Sequence, residues 1–176
     1  GASGFEELFL GSNTLKILAS TELPVYTIRH GITPLPIQNV IFPLDTTFES
    51  RQKSPVAVKL AKQWGATVHI VTSTDNYDTE ELKKLNAYTA QCEEYFAKND
   101  LQYCTYRAED LVEVSNKYAS HIANSIIVVT TRDKAAPSIF MIGEKAQRLL
   151  RTAPVPVLVV VPTLVRITDS FRTSGN

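Results

Sequence analysis

The chain has 176 residues, with 18 basic and 18 acidic side chains, so its formal charge is zero. That balance argues against a binder whose affinity comes from neutralising nucleic-acid phosphates, and the length suits one domain or slightly more. The longest apolar runs, at 125–129 and 155–161, fall far short of the roughly 20 residues a membrane helix needs.

In chain order, a helical period runs from Phe5 to about Leu18 and leads to a strand at 24–28 and a linker at 30–36. The run 39–45 predicts a short apolar strand ending in an acid, Asp45. Ala57, Leu60, Ala61 and Trp64 follow helical spacing, and Gly65 ends that helix. The β-branched run 67–72 predicts a strand. Leu82, Leu85, Thr89, Cys92 and Phe96 mark a longer helix, opened by the capping-box pair Asp78 and Glu81. A weakly alternating strand at 102–107 follows. Leu111, Val114, Tyr118 and Ile122 predict a helix with Asp110 as its cap. The nearly all-apolar strand 125–130, a helix through Ile142, Ala146, Leu149 and Leu150, and the apolar strand 155–161 complete the order. Apolar runs without alternation suggest strands covered on both faces. Strand–helix alternation from 37 to 162 therefore predicts an α/β fold: a five-stranded, mostly parallel sheet with helices on both faces.

Residues 1–36 stand outside this pattern, and an internal repeat accounts for them. Shifted by 132 positions, Leu10-Gly11 falls on Ile142-Gly143 and Lys16-Ile17-Leu18 falls on Arg148-Leu149-Leu150. Pro24-Val25 falls on Pro156-Val157, and Ile28 on Val160. The expectation is a tandem array. Residues 1–36 are the last helix and strand of a preceding repeat plus a linker. Residues 37–162 are a complete repeat, and 163–176 a polar tail that frays.

Nine residues separate Gly1 from Gly11-Ser12, which Asn13 follows. This spacing, with the acid-ending first strand, the apolar fourth strand and the Pro-Val fifth strand, resembles the universal stress protein family. The resemblance covers 1–30 and 37–162 and implies an adenine nucleotide α-hydrolase-like fold, adenine-nucleotide binding, dimer formation and a cytoplasmic stress-response role. It implies no efficient catalysis. Glycines after the fourth strand let backbone N–H groups approach a polyphosphate. In the family, the acid ending the first strand and neighbouring backbone hold the adenine and ribose. The candidate ATP-binding positions are Gly1, Gly11, Ser12 and Asn13 in the upstream piece, and Pro43, Asp45, Val71, Thr130 and Gly143 in the complete repeat.

The repeat offset also exposes a departure. Gly1 corresponds to Asp133, Ser12 to Glu144, and the first loop glycine to Thr130; only Gly143 survives. Two acids near a triphosphate oppose its charge, and Pro137 removes an N–H donor. Arg132 and Lys134 flank the loop without replacing its backbone donors. The complete repeat is expected to have lost ATP binding of the family type. Two readings remain for Asp45, a nucleotide contact or a turn former, and two for Val71, an adenine contact or core packing. Ser12-Asn13 is either half a site or a helix kink.

His30, His69 and His121 lack mutual spacing for a metal or dyad and read as structural. Glu80, Glu81, Lys83 and Lys84 read as a solvated helix face, as do Arg148 and Arg151. Cys92 and Cys104 show no CxxC or Cys/His spacing and predict free, half-buried thiols of an intracellular protein. In the family the fifth strand pairs antiparallel with a partner domain. The expected partner of 157–161 is therefore 25–28 of this chain, or another chain by swapping. The chief alternative to a nucleotide-linked regulator is a non-nucleotide dimerisation module; a third is a slow adenylyl-transfer or ATP-hydrolysing enzyme of the same fold.

Overall fold

A computed structural model of the chain describes residues 12–32, 36–74, 77–131 and 142–161. Helix α1 (Ser12–Ser20) and strand β1 (Val25–Thr27) precede an alternating series. The series runs β2 (Asn39–Leu44), α2 (Phe48–Gln52), α3 (Ser54–Trp64), β3 (Thr67–Ser73), α4 (Thr79–Lys98), β4 (Tyr103–Ala108), α5 (Leu111–His121), β5 (Ser125–Thr130), α6 (Glu144–Thr152) and β6 (Val157–Val160).

Local chemistry sets the helix ends. The Asp78 carboxylate accepts from the Glu81 N–H at 2.9 Å, and Glu81 accepts from the Asp78 N–H at 3.1 Å, which closes the capping box of α4. Asp110 caps α5 by accepting from the N–H groups of Val112 and Glu113, both at 2.8 Å. Gly65 ends α3 in the left-handed region at φ 63°, where a Cβ is costly. Helix α2 was not expected from the sequence, because five residues are too few to show a period. It ends at Lys53, which stands between α2 and α3.

The sheet order is β1-β6-β5-β2-β3-β4. Five strands run parallel, as expected, and β1 adds a sixth, antiparallel on β6, with Val25 opposite Val159 and Thr27 opposite Val157. The Thr27 hydroxyl donates to the Val157 carbonyl at 2.8 Å, and Arg29 donates to the Ala153 carbonyl at 3.2 Å. A core forms on each face. Val40, Phe42, Val68, Ile70 and Ile126 pack against α3 and α4. Ile41, Val71, Ile127 and Val159 pack against α5, α6 and Leu18 of α1. Phe42 and Phe96 are fully buried and meet edge to face at 5.4 Å. Burial of each ring contributes about 2–3 kcal/mol.

Both cysteines are free, as expected, but neither is half-buried. Cys92 faces the core and Cys104 is exposed on β4, the far edge of the sheet. Among the described residues no helix is long and apolar enough to cross a membrane.

Candidate functional site

From β2 the chain proceeds to β3 and β4 on one side, and later to β5 and β6 on the other. The strand order therefore reverses between β2 and β5, where parallel sheets open a crevice at their carboxyl ends. A cavity of about 200 Å³ lies there. It brings together four of the sequence-predicted residues: Pro43 near the end of β2, Asp45 just beyond it, Thr130 at the end of β5, and Gly143 at the N-cap of α6. Val71 is not among its lining residues. Its side chain is fully buried in the α5–α6 face of the core, opposite Pro43 in the β2–β3 register. Ser12 and Asn13 form the first turn of α1. Gly1, Gly11, Arg132, Asp133, Lys134 and Pro137 lie outside the described residues.

Asp45 organises the rim. Its Oδ1 accepts from the backbone N–H of Thr47 at 2.9 Å and from the Thr47 hydroxyl at 2.5 Å. Its own N–H donates to the Ser50 hydroxyl at 3.0 Å. These bonds turn the chain from β2 into α2, the turn-forming role open to this acid. Oδ2 faces Lys145 of α6 at 3.6 Å. Burial pushes the Asp45 carboxyl up, but the Thr47 bonds and the Lys145 and Lys53 ammonium groups outweigh it and hold the carboxyl below its ordinary value.

Two ammonium groups at this cavity were missed in the sequence. Lys53 is 2 % exposed and donates to the carbonyls of Pro43 at 2.5 Å and Ser50 at 2.8 Å. Its Nζ also lies 4.3 Å from the centre of the Phe42 ring. Burial pulls its pKa down to about 8, against the opposing pull of Asp45 and Cys92. Lys145 spans the mouth, contacting Asp45 and donating to the Tyr77 hydroxyl at 3.3 Å. Burial lowers its pKa, but Asp45 and Tyr77 reverse that effect and raise it. Neither lysine belongs to a motif: one is placed by the break between α2 and α3, the other by the reach of a surface side chain. Glu144, expected to repel a triphosphate, does line the cavity, as does Glu49. Thr131 also lines it; it is 1 % exposed, and its hydroxyl has no hydrogen-bond partner among the described residues.

Arg148, read as a solvated residue, pairs with the Asp110 cap at 3.3 Å. The Glu80–Lys83 pair stays solvated, as expected. Among the described residues no group of three or more metal-ligating side chains forms.

A mostly parallel sheet covered on both faces, with a crevice at its strand-order reversal, defines a doubly wound α/β protein. The chain belongs to the universal stress protein family, whose model matches residues 36–161. It is similar in structure to a universal stress protein from Archaeoglobus fulgidus DSM 4304, at 21% identity and a TM-score of 0.66, over 91% of this chain and 57% of that one. A functionally unknown protein from Pseudomonas aeruginosa PAO1 aligns at 18% identity and a TM-score of 0.63, over 92% of this chain and 60% of that one. A universal stress protein in complex with cAMP aligns at 16% identity and a TM-score of 0.56, over 73% of this chain and 100% of that one. The chain thus spans less than two thirds of the first two. At these identities the likeness concerns the fold. A comparison with curated proteins gives no match.

Proposed function

We propose that this chain is part of a tandem universal stress protein, an adenine-nucleotide-linked regulator without efficient catalysis, and that its complete domain does not hold ATP in the family manner. The observation that carries the proposal is the contact of Lys145 with Asp45 across the cavity mouth. The Asp45 carboxylate already serves Thr47 and Lys145. An incoming ribose has to compete with them for the same carboxylate.

Size and charge support the same reading. About 200 Å³ is below the roughly 300–1,000 Å³ of typical ligand pockets. Glu49 and Glu144 oppose a triphosphate at the lining, and Lys53 is committed to two carbonyls. A mononucleotide carries less negative charge than ATP and so meets less opposition from Glu49 and Glu144. The cAMP-bound neighbour is consistent with that preference. Thr131 offers a spare hydroxyl to such a ligand.

The tandem reading draws support from alignment lengths. A single-repeat-sized neighbour aligns with 73% of this chain, whereas the larger ones align with 91% and 92%. The family match itself starts at residue 36. A second reading, a non-nucleotide interaction module, is favoured by the strand docking of β1 on β6.

Calorimetric titration with ATP, AMP and cAMP tests the proposal, together with mass analysis of any nucleotide retained on purification. ATP is expected to show no saturation below about 1 mM, equivalent to less than about 4 kcal/mol of binding. Retained ATP, or micromolar ATP binding, would overturn the loss of the triphosphate site. Absence of binding by all three nucleotides would favour the interaction module.

A further inference from the structure

Away from the cavity, on the α5 side of the sheet, four side chains from four elements form a connected chain. In the parallel register His69 of β3 stands opposite Ile41 of β2 and Cys104 of β4. Asn39 of β2 donates through Nδ2 to the Ala123 carbonyl at 2.8 Å. Its Oδ1 therefore faces the His69 Nε2, at 2.8 Å, as an acceptor. This bond assigns the ring proton to Nε2 and leaves the Nδ1 lone pair open. Nδ1 meets the Cys104 sulfur and the Tyr118 hydroxyl, each at 3.1 Å.

The Nδ1 lone pair is available, while burial limits how strongly the ring holds a proton. His69 is 8 % exposed, and burial disfavours its charged form, so the ring is neutral at neutral pH. Tyr118 is pushed up to about 12 by burial and by Cys104, and so remains a hydroxyl donor that competes with the thiol for Nδ1. Tyr106 stacks on Tyr118 at 5.2 Å and is 44 % exposed, forming an aromatic wall beside the sulfur. Among the described residues no charged side chain bonds to Cys104, His69 or Tyr118. Cys104 itself is exposed on an edge strand.

We propose that Cys104 is a reactive thiol, with His69 as its proton acceptor and Asn39 as the residue that orients the ring, and that it takes up low-molecular-weight disulfides as mixed disulfides. A nucleophile, a base within hydrogen-bond reach and a third group orienting the base are the parts such activation needs. In the step, the Cys104 sulfur attacks one sulfur of the incoming disulfide while its proton passes to His69 Nδ1. A new S–S bond forms, the old one breaks, and the leaving thiolate takes the proton back from the imidazolium. Cys104 is oxidised, and the departing half of the disulfide is reduced to a thiol. Cys92 provides an internal contrast, since it is fully buried and burial raises its pKa.

The test is the rate of glutathione adduct formation at pH 7, followed by peptide mass spectrometry. Oxidised glutathione is the probe, and folded and urea-unfolded chain are compared. The folded chain is expected to modify Cys104 at least about tenfold faster than the unfolded chain, with Cys92 unmodified. His69→Gln is expected to abolish that advantage. Tyr118→Phe is expected to keep or raise the rate, because it removes the competing donor, whereas a purely structural role for the tyrosine predicts a fall in order around the site. Equal rates in folded and unfolded chain overturn the proposal. So does a folded His69→Gln variant that reacts like the parent. If His69→Gln does not fold, Tyr118→Phe decides, and a loss of rate in that variant overturns the proposal.

Discussion

Lys53 presents a residue-scale tension between burial and charge. Its ammonium is enclosed, yet it is satisfied by two carbonyls and an aromatic face. A neutral amine keeps two N–H donors, enough for both carbonyls, so deprotonation removes the desolvation cost without breaking the bonds. Its folded pKa of about 8 is depressed from an unfolded value near 10.4. Between these values the unfolded state binds more protons, so this group makes stability rise with pH. The gain is on the order of 2–3 kcal/mol across the window. Cys92 works the other way, because its raised pKa costs stability once the unfolded thiol ionises. Comparison with Lys53→Met isolates the lysine. The parent's urea midpoint, relative to that variant, is expected to climb from pH 7.5 to 10. A flat difference would show that Lys53 does not titrate in this range.

At the scale of elements, α5 depends on one residue. Asp110 satisfies two N–H groups at its start and meets Arg148 of α6, which ties two helices on one face. Asp110→Ala is expected to cost about 1–2 kcal/mol in a denaturant titration. The backbone bond to Glu113 is the largest influence on the carboxyl; with Arg148 and Val112 it outweighs desolvation and holds the pKa below its ordinary value. The cap therefore contributes fully above the unfolded carboxyl pKa and is lost as pH falls through the folded one. The difference between parent and variant should shrink below about pH 4.

These caps were legible in the sequence because each is a contact across two or three residues. The same holds for Gly65 and for the apolar strands. Pro43, Asp45, Thr130 and Gly143 were legible through the family resemblance and the repeat offset, and they meet because each sits near an element end at the carboxyl edge of the sheet, whereas Val71 of the same group lies in the core. Helix α2 was not, and Lys53 was hidden with it. His69 was read as structural because its partners are set by strand register. Cys104 and Asn39 lie 35 and 30 positions away along the chain, and no local spacing encodes that meeting.

At the scale of the whole molecule, the two sheet edges are managed differently. The β4 edge is exposed along nearly its whole length, with Arg107 and Thr105 held to α4 by Asn86 and Glu93. The Arg107 charge and these ties to α4 work against pairing at this edge, while Tyr103 and Tyr106 leave aromatic surface exposed on it. Strand β6 is a run of four buried apolar residues, and β1 covers its outer side with three paired positions. Without β1, that edge offers unpaired backbone groups beside an apolar surface, on a chain with too little net charge to keep copies apart. Deleting residues 1–32 is therefore expected to create a self-associating species through β6, visible as a concentration-dependent rise in sedimentation coefficient. Loss of the Thr27 and Arg29 bonds is expected to lower stability by about 1–3 kcal/mol as well. A synthetic peptide of residues 12–32, added in trans, should return the truncated chain to its monomeric coefficient by occupying the same edge. General stickiness of a damaged fold predicts no such rescue. A truncated chain that stays monomeric with unchanged stability would mean that β1 protects nothing, and the tandem reading would lose the physical reason for its docked strand.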